Sequence, residues 1–459
     1  MNDPLISLHR LRTHFETDAT RPYAARRDAL KRLRDSMRKH EEELLAAMHA
    51  DMRKPRFEAY LSDVGLVYAE IAHALAGLKE WMRSAHPPTP LALQVASSTR
   101  CPEPLGVVLI IAPWNYPALL VLSPLVGAIA AGNCVVVKPS NETPRTAAVL
   151  ERIIGEAFAP EHVLVVQGPG RMLGPQLIEP FRFDHIFFTG SPNVGRQIMA
   201  LAAPHLTPVT LELGGKSPAI VDRKVDLDRA AQRIAWSKYF NAGQTCIATD
   251  HVLVHHTVME PFIDAVAKHV KRFYGSDPQQ SPHFARLLND RRFQVVKDYL
   301  QHGQVAMGGT HDAADRYIAP TVLVDVPVDA PPMHEEVFGP VMPVVRWSER
   351  EEVLAMVKRN PFPLATYVFS NDRSAQRYFT ERIAFGGGCI NHCMLHFGHP
   401  DMPFGGVGTS GMGRYHGRAS FDLFTHHKGV VHASTLIEPG IQLPPYTSLK
   451  ERVLRWVLG

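Results

Sequence analysis

Apolar positions recur at helical spacing from about Ala24 to Arg83, as in A-L-K-R-L-R-D-S-M and E-E-E-L-L-A-A-M, with few breakers before His86-Pro87-Pro88. The pattern predicts a helical N-terminal section. From Gly106 the texture changes to short apolar runs, V-V-L-I-I-A, C-V-V-V-K, H-V-L-V-V-Q and H-I-F-F-T-G, separated by helical stretches. Such alternation is the mark of β-α-β units, so it predicts a doubly wound α/β domain on a parallel sheet. A second alternating region runs from about Pro218 to Trp347. A glycine-rich stretch from Phe385 to Gly417 reads as loops walling an active site.

The longest apolar tract, Leu105 to Val137, is interrupted by Pro113, Asn115, Pro117, Pro124 and Asn133, which a membrane helix rarely tolerates. It reads as buried strand, loop, helix and strand. The stretch from Pro87 to Pro102 and the strand-like K-G-V-V-H-A-S from Lys428 are both flanked by breakers, and are expected to pair as an arm leaving the main body. At the C-terminus, Leu449, Val453, Trp456 and Val457 share one helical face. Packing of that face on the chain's own fold or on a partner subunit is favoured over contact with a membrane surface.

Composition narrows the class. With 459 residues, 45% hydrophobic and 20% charged, the chain fits an ordinary soluble protein of about two or three domains. A net charge of +4, without a Lys/Arg run interleaved with aromatics, argues against nucleic acid as a partner. Five cysteines, Cys101, Cys134, Cys246, Cys389 and Cys393, are an odd number without framework spacing, which fits free thiols in the cytoplasm. The opening M-N-D-P-L-I-S-L-H-R lacks a secretory pattern, so the mature chain is expected to start there.

The stretch F-N-A-G-Q-T-C-I-A places Cys246 among small polar residues, downstream of V-T-L-E-L-G-G-K-S-P with Glu212. A thiol acts as a nucleophile once a low pKa or a nearby base supplies the thiolate, and a carboxylate can then activate water against what the thiol has captured. Cys246 and Glu212 are therefore candidate nucleophile and base. F-F-T-G-S-P-N-V-G sets Gly190 and Gly195 five apart between an apolar run and a helical pattern, so a helix N-terminus can face a pyrophosphate. G-P-G-R-M-L-G (Gly168 to Gly174) and G-V-G-T-S-G (Gly406 to Gly411) are read as decoys, the latter lacking a clear preceding strand. No metal is expected: Cys393, His396 and His399 lack a completing cysteine pair, and H-E-E-V-F has Phe338 where a second histidine is required.

These residues stand in motifs that resemble the aldehyde dehydrogenase superfamily, closest to its class 3 and coniferyl aldehyde dehydrogenase group. A-P-W-N-Y-P, V-V-V-K-P-S, F-T-G-S-P-N-V-G, L-E-L-G-G-K-S-P, N-A-G-Q-T-C, E-E-V-F-G-P and P-F-G-G-V-G-T-S-G-M-G-R-Y-H-G follow in order over nearly the whole chain. The resemblance implies two doubly wound α/β domains and a small β oligomerisation arm. Residues 1–85 and 103–213 would bind the dinucleotide and 214–420 would be catalytic. Residues 86–102 and 421–445 would form the arm, leaving 446–459 as an amphipathic tail. It also implies oxidation of aldehydes to acids with NAD or NADP, in a homodimer, on aromatic aldehydes of the coniferyl or benzaldehyde kind or on medium to long aliphatic ones. Cys246 would carry a thiohemiacetal and then a thioester, Asn115 and the Cys246 N–H would stabilise the oxyanion, and Glu212 would activate water. Lys138 would hold the adenosine ribose, Ser191 the pyrophosphate and Glu336 the nicotinamide ribose, with Phe338 packing near it. Trp114, Ser140, Gly190, Gly195 and Leu213 complete the implied cofactor site. The rival readings are a cofactor-independent cysteine acyl hydrolase and a non-catalytic protein retaining the fold.

Two departures from the family pattern matter. K-P-S-N-E-T-P puts neutral Asn141 where many members carry an acid, with Glu142 one position further on. A carboxylate there would bond ribose hydroxyls and repel a 2′-phosphate, so NADP is expected to be accepted beside NAD. In I-N-H-C-M-L-H-F-G-H-P, His392 replaces the usual acid after Asn391.

Overall fold

The computed structural model describes residues 4–93, 95–172 and 174–459; Met1 to Asp3, Gln94 in the expected arm and Leu173 in the G-P-G-R-M-L-G stretch lie outside it. The N-terminal section is helical, with helices Pro4–Glu16, Tyr23–Lys39 and Glu41–Met52 and a longer run from Arg56 to Trp81. That run is long and apolar enough to cross a membrane by length and composition, with a mean hydropathy of 1.2. Its buried acids are nevertheless bonded into the protein: Glu58 accepts the Asn241 N–H and Glu70 the Gly417 N–H, at 3.0 and 2.7 Å. One face of the run is thereby packed on the protein, with 44% of its most apolar stretch buried.

The six-stranded sheet carries, in spatial order, Gly411–Met412, Val209–Leu213, His185–Gly190, Val107–Ile111, Cys134–Lys138 and Val163–Val165. All neighbours run parallel except Gly411–Met412. Apart from that added edge, the chain enters at the middle strand Val107–Ile111, winds outward to one side, then returns and winds to the other, the order of a dinucleotide-binding fold. Val107–Ile111 and Cys134–Lys138 are buried throughout, which is why they read as unbroken apolar runs. The run at 162–167 forms a strand only over Val163–Val165.

A seven-stranded sheet is built from Gly387–Ile390, Ala365–Phe369, Pro218–Val221, His251–His255, Val341–Trp347, Thr321–Val324 and Gln304–Met307, in that order. Only its last strand is antiparallel. Ala96–Pro104 and Thr425–Ala433 pair antiparallel as a separate two-stranded arm, with Cys101 opposite Lys428.

Sequence alone placed the second domain's end at residue 420, yet Gly411–Met412 joins the edge of the first sheet, and helix Gly417–Leu423 packs on helix Leu119–Ala131 of the first domain. Close approach makes this join possible: a Cβ on Gly411 would lie 2.2 Å from the Leu211 carbonyl, and one on Gly127 2.4 Å from Ser420. The tail forms helix Ser448–Leu458, and Leu449 and Trp456 on its apolar face are 66% and 78% exposed, so the chain's own fold does not cover that face.

Candidate active site

Cys246 lies in a turn after helix Leu227–Tyr239 and the 3-10 turn Phe240–Gly243. The chain reverses there through left-handed backbone at Asn241, Ala242 and Gly243, with φ of 51°, 51° and 76°. Positive φ at two residues with side chains is held by surrounding bonds. Asn241 N–H donates to Glu58, and the Gln244 side chain both donates to the Asn241 carbonyl and accepts from Leu288 N–H. Gly243 has a second reason to be glycine: a Cβ there would meet the Gly339 carbonyl at 2.3 Å, where the E-E-V-F-G-P loop passes.

Glu212 is the penultimate residue of the strand Val209–Leu213, with its backbone between Thr189 on one side and Gly411 on the other. It is buried, and among the described residues neither carboxylate oxygen has a hydrogen-bond partner. Burial alone holds its pKa well above the ordinary carboxylate range. Burial also raises the Cys246 thiol, and the Glu336 and Glu212 carboxylates push it further, against the pull of the Cys246 and Ile247 N–H groups. Both shifts favour the protonated thiol and the protonated acid over their ionised forms.

Asn115 follows the middle strand of the first sheet, where the winding reverses and ligands of such folds sit. Its side-chain amide donates to the Gln244 carbonyl at 3.1 Å, so it faces the Cys246 turn, and this is the amide's one bond among the described residues. Trp114 beside it meets Phe338 edge to face, with ring centroids 5.4 Å apart. Phe338 itself has φ 43°, held where Arg292 donates to its carbonyl and Val337 N–H donates to Asp250.

One cavity of about 750 Å³ joins these groups, within the size range of small-molecule and cofactor sites. Cys246, Glu212 and Asn115 line it, as do Trp114, Gly190, Ser191, Leu213, Glu336 and Phe338. Lys138, Ser140 and Gly195 do not line it but adjoin lining residues Glu142 and Leu213. Lys138 closes strand Cys134–Lys138, its pKa lowered by burial against the raising charge of Glu142. Ser140 accepts the Glu142 N–H at 3.2 Å. Gly195 lets helix Pro192–Ala202 lie close to the sheet, since a Cβ would come 2.9 Å from Leu213. Ser191 caps that helix, whose N-terminus thus opens to the cavity.

Glu336 reaches over Gly214, where a Cβ would meet its carboxylate at 1.9 Å. Burial, then Asp250, raises Glu336 to about 8, and one of its oxygens has no partner. An orphaned buried oxygen, a helix N-terminus and an aromatic pair at one end of the cavity suit a dinucleotide there. Of the stretch G-V-G-T-S-G, the last residue, Gly411, begins the edge strand beside Glu212.

Several lining groups were not singled out by sequence reasoning. Tyr415 stands inside the R-Y-H-G motif, yet its role shows only in space: its buried hydroxyl lacks a partner, and the Glu212 and Cys246 charges act on it. Leu66, Leu120 and Trp236, which no motif marks, form an apolar wall with Phe240, Leu395 and Phe397. Glu142, set aside as shifted, lines the cavity too, with its carboxylate accepting from Asn289 at 3.0 Å. The histidines of I-N-H-C-M-L-H-F-G-H-P disperse: His392 packs on Trp236, and His396 stacks on Phe404. Among the described residues no three metal-ligating side chains gather.

The sequence matches the aldehyde dehydrogenase family over residues 10–430. It is 42% identical to the 4,4'-diaponeurosporen-aldehyde dehydrogenase of Staphylococcus aureus over 94% of each chain. Aldehyde dehydrogenase family 3 member B1 of Homo sapiens is 44% identical, over 98% of this chain and 97% of the relative. The solved substrate-bound state of Staphylococcus aureus AldH superposes with a TM-score of 0.97 at 40% identity, covering 100% of both chains. The chain belongs to the aldehyde dehydrogenase family, the oxidoreductases that act on aldehydes with NAD or NADP.

Proposed function

We propose that this protein oxidises aldehydes with apolar bodies, aromatic or medium to long aliphatic, to carboxylic acids, with Cys246 as nucleophile, Asn115 as oxyanion donor and Glu212 as base. The observation that carries this reading is the convergence of these three side chains on one cavity whose remaining wall is mostly apolar. Cys246, once ionised, adds to the aldehyde carbon, and the resulting oxyanion takes hydrogen bonds from the second Asn115 amide N–H and the Cys246 N–H. A bound nicotinamide dinucleotide supplies the hydride acceptor. Loss of hydride from the thiohemiacetal leaves a thioester on Cys246. Glu212, having lost its own proton, takes one from water as that water attacks the thioester, and the acid departs as the thiol is restored.

Trp114, Gly190, Ser191, Leu213, Glu336 and Phe338 would face the cofactor from the cavity, with Lys138, Ser140 and Gly195 adjoining the lining. Glu336, with its unpartnered oxygen, suits ribose hydroxyls. We read the site as accepting both cofactors, since neutral Asn141 does not repel a 2′-phosphate, while Glu142 held by Asn289 keeps one carboxylate near Lys138. The two-stranded arm and the uncovered face of helix Ser448–Leu458 favour a homodimer over membrane contact for the tail. The five free thiols favour the cytoplasm.

An aldehyde panel run with each cofactor tests this reading. Each added methylene that reaches the apolar wall is expected to raise kcat/KM about 4-fold, the equivalent of about 0.8 kcal/mol. A preference for short polar aldehydes would contradict the substrate class, and ester hydrolysis with no NAD(P)-dependent aldehyde turnover would favour an acyl hydrolase.

A further inference from the structure

We propose that Lys54 and Asp63, a buried ion pair remote in sequence from every motif, are positioning residues that aim Asn115 at the oxyanion; the inference rests on Asn115 being the oxyanion donor. Both side chains are 0% exposed, and the Lys54 ammonium donates to Asp63 at 2.6 Å. A buried pair of this kind adds little net stability over apolar residues of similar size, so its placement calls for another reason. The free valences of both members go to a single loop. Lys54 also donates to the Asn115 carbonyl at 3.4 Å, and its ammonium lies 3.9 Å from the centre of the Tyr116 ring. The second oxygen of Asp63 accepts the N–H groups of Ala118 and Leu119, at 3.1 and 3.2 Å, where helix Leu119–Ala131 begins.

The pair therefore grips the loop at its asparagine and over the residues that follow it. Asp63 reaches it from the π-helical turn Tyr60–Val64 within the run from Arg56 to Trp81, a widening often found at functional sites. The loop is also tied to the turn carrying Cys246: Asn241 donates to the same Asn115 carbonyl at 3.0 Å, and the Tyr116 hydroxyl bonds the Thr245 hydroxyl at 2.5 Å, next to Cys246. Fixing the Asn115 carbonyl fixes the peptide plane from which its side chain departs. An oxyanion donor works through preorganised geometry, and a displacement of about 1 Å can cost on the order of 100-fold in rate. Lys54 and Asp63 touch neither substrate nor thiol, so they act through Asn115.

The test is a double-mutant cycle between Lys54→Met and Asn115→Ala, read as kcat of aldehyde oxidation and as cofactor-free hydrolysis of a p-nitrophenyl ester by Cys246. Lys54→Met alone is expected to lower both rates roughly 10- to 100-fold with little change in KM. In the Asn115→Ala background it is expected to change them less than about 3-fold, because effects that pass through one group do not add. A purely structural role would lower the melting temperature and give additive losses, and additive losses or an unchanged kcat overturn the proposal. Asn115→Ala retaining full rate would remove the oxyanion reading itself, and this inference with it. Should Lys54→Met not fold, Asp63→Asn carries the same cycle, since it keeps an oxygen for Ala118 and Leu119 while removing the charge that orients Lys54.

Discussion

The side-chain amide of Asn115 donates to the carbonyl of Gln244 at 3.1 Å, two residues before Cys246. This bond ties the loop at the winding reversal of one sheet to the turn carrying the nucleophile. In the proposed mechanism, the oxyanion donor and the sulfur it serves are thereby registered against each other before any substrate arrives.

Proton state is the first consequence open to measurement. Burial and the Glu336 and Glu212 carboxylates raise the Cys246 thiol, so iodoacetamide should label it slowly near neutral pH and faster as pH rises. Glu336→Gln removes the larger of the two charge effects and should speed labelling at a fixed pH of about 9, above the value of about 8 to which Glu336 is raised. Mass spectrometry of the labelled peptide reads the rate. Equal rates in the two proteins would show that Glu336 does not act on the thiol.

Glu70 offers a stability test away from the chemistry. Burial raises it to about 7, and it accepts the Gly417 N–H. In this case the folded pKa lies above the unfolded one. The stabilisation is therefore fully present below the ordinary carboxyl value of 4.5 and lost as pH rises through about 7. Glu70→Gln keeps an acceptor and has no proton to lose. The gap in unfolding free energy should move in favour of the variant by at most about 1.4 kcal/mol per pH unit across that window, then level off. Denaturant titrations over a pH series give this gap, and a gap independent of pH would refute the assignment.

For the cofactor, kcat/KM with NAD and NADP should be comparable in the wild type, and Asn141→Asp should shift preference toward NAD by about 10-fold or more. Glu142→Gln should move it the other way, because that carboxylate is the acid beside Lys138. NAD favoured more than about 100-fold in the wild type, nearly 3 kcal/mol, would contradict the role given to Asn141.

The central strands were legible because burial on both faces writes them as unbroken apolar runs, as in Val107–Ile111. Cys246, Glu212 and Asn115, which the structure brings to one cavity, could be picked out because each sits in a motif of unusual composition. Lys54, Asp63 and Tyr415 were not singled out. An ion pair closed across 9 positions that grips a loop about 50 residues further on leaves no local period, and Tyr415 gains its place beside Glu212 only when an edge strand returns to the first sheet. Gly411–Met412 spans two residues, too short for any alternation to register. Glu142 was read by its offset from Lys138, whereas its direction is set by Asn289, far along the chain.

The central claim, that Cys246 carries an acyl group released by water activated at Glu212, is tested most directly by rapid mixing of Glu212→Gln with aldehyde and cofactor, beside Cys246→Ala as the null. The account predicts a burst of reduced cofactor approaching one equivalent per active site, followed by a stall at the thioester, and no burst from Cys246→Ala. Steady wild-type turnover by Glu212→Gln would contradict it.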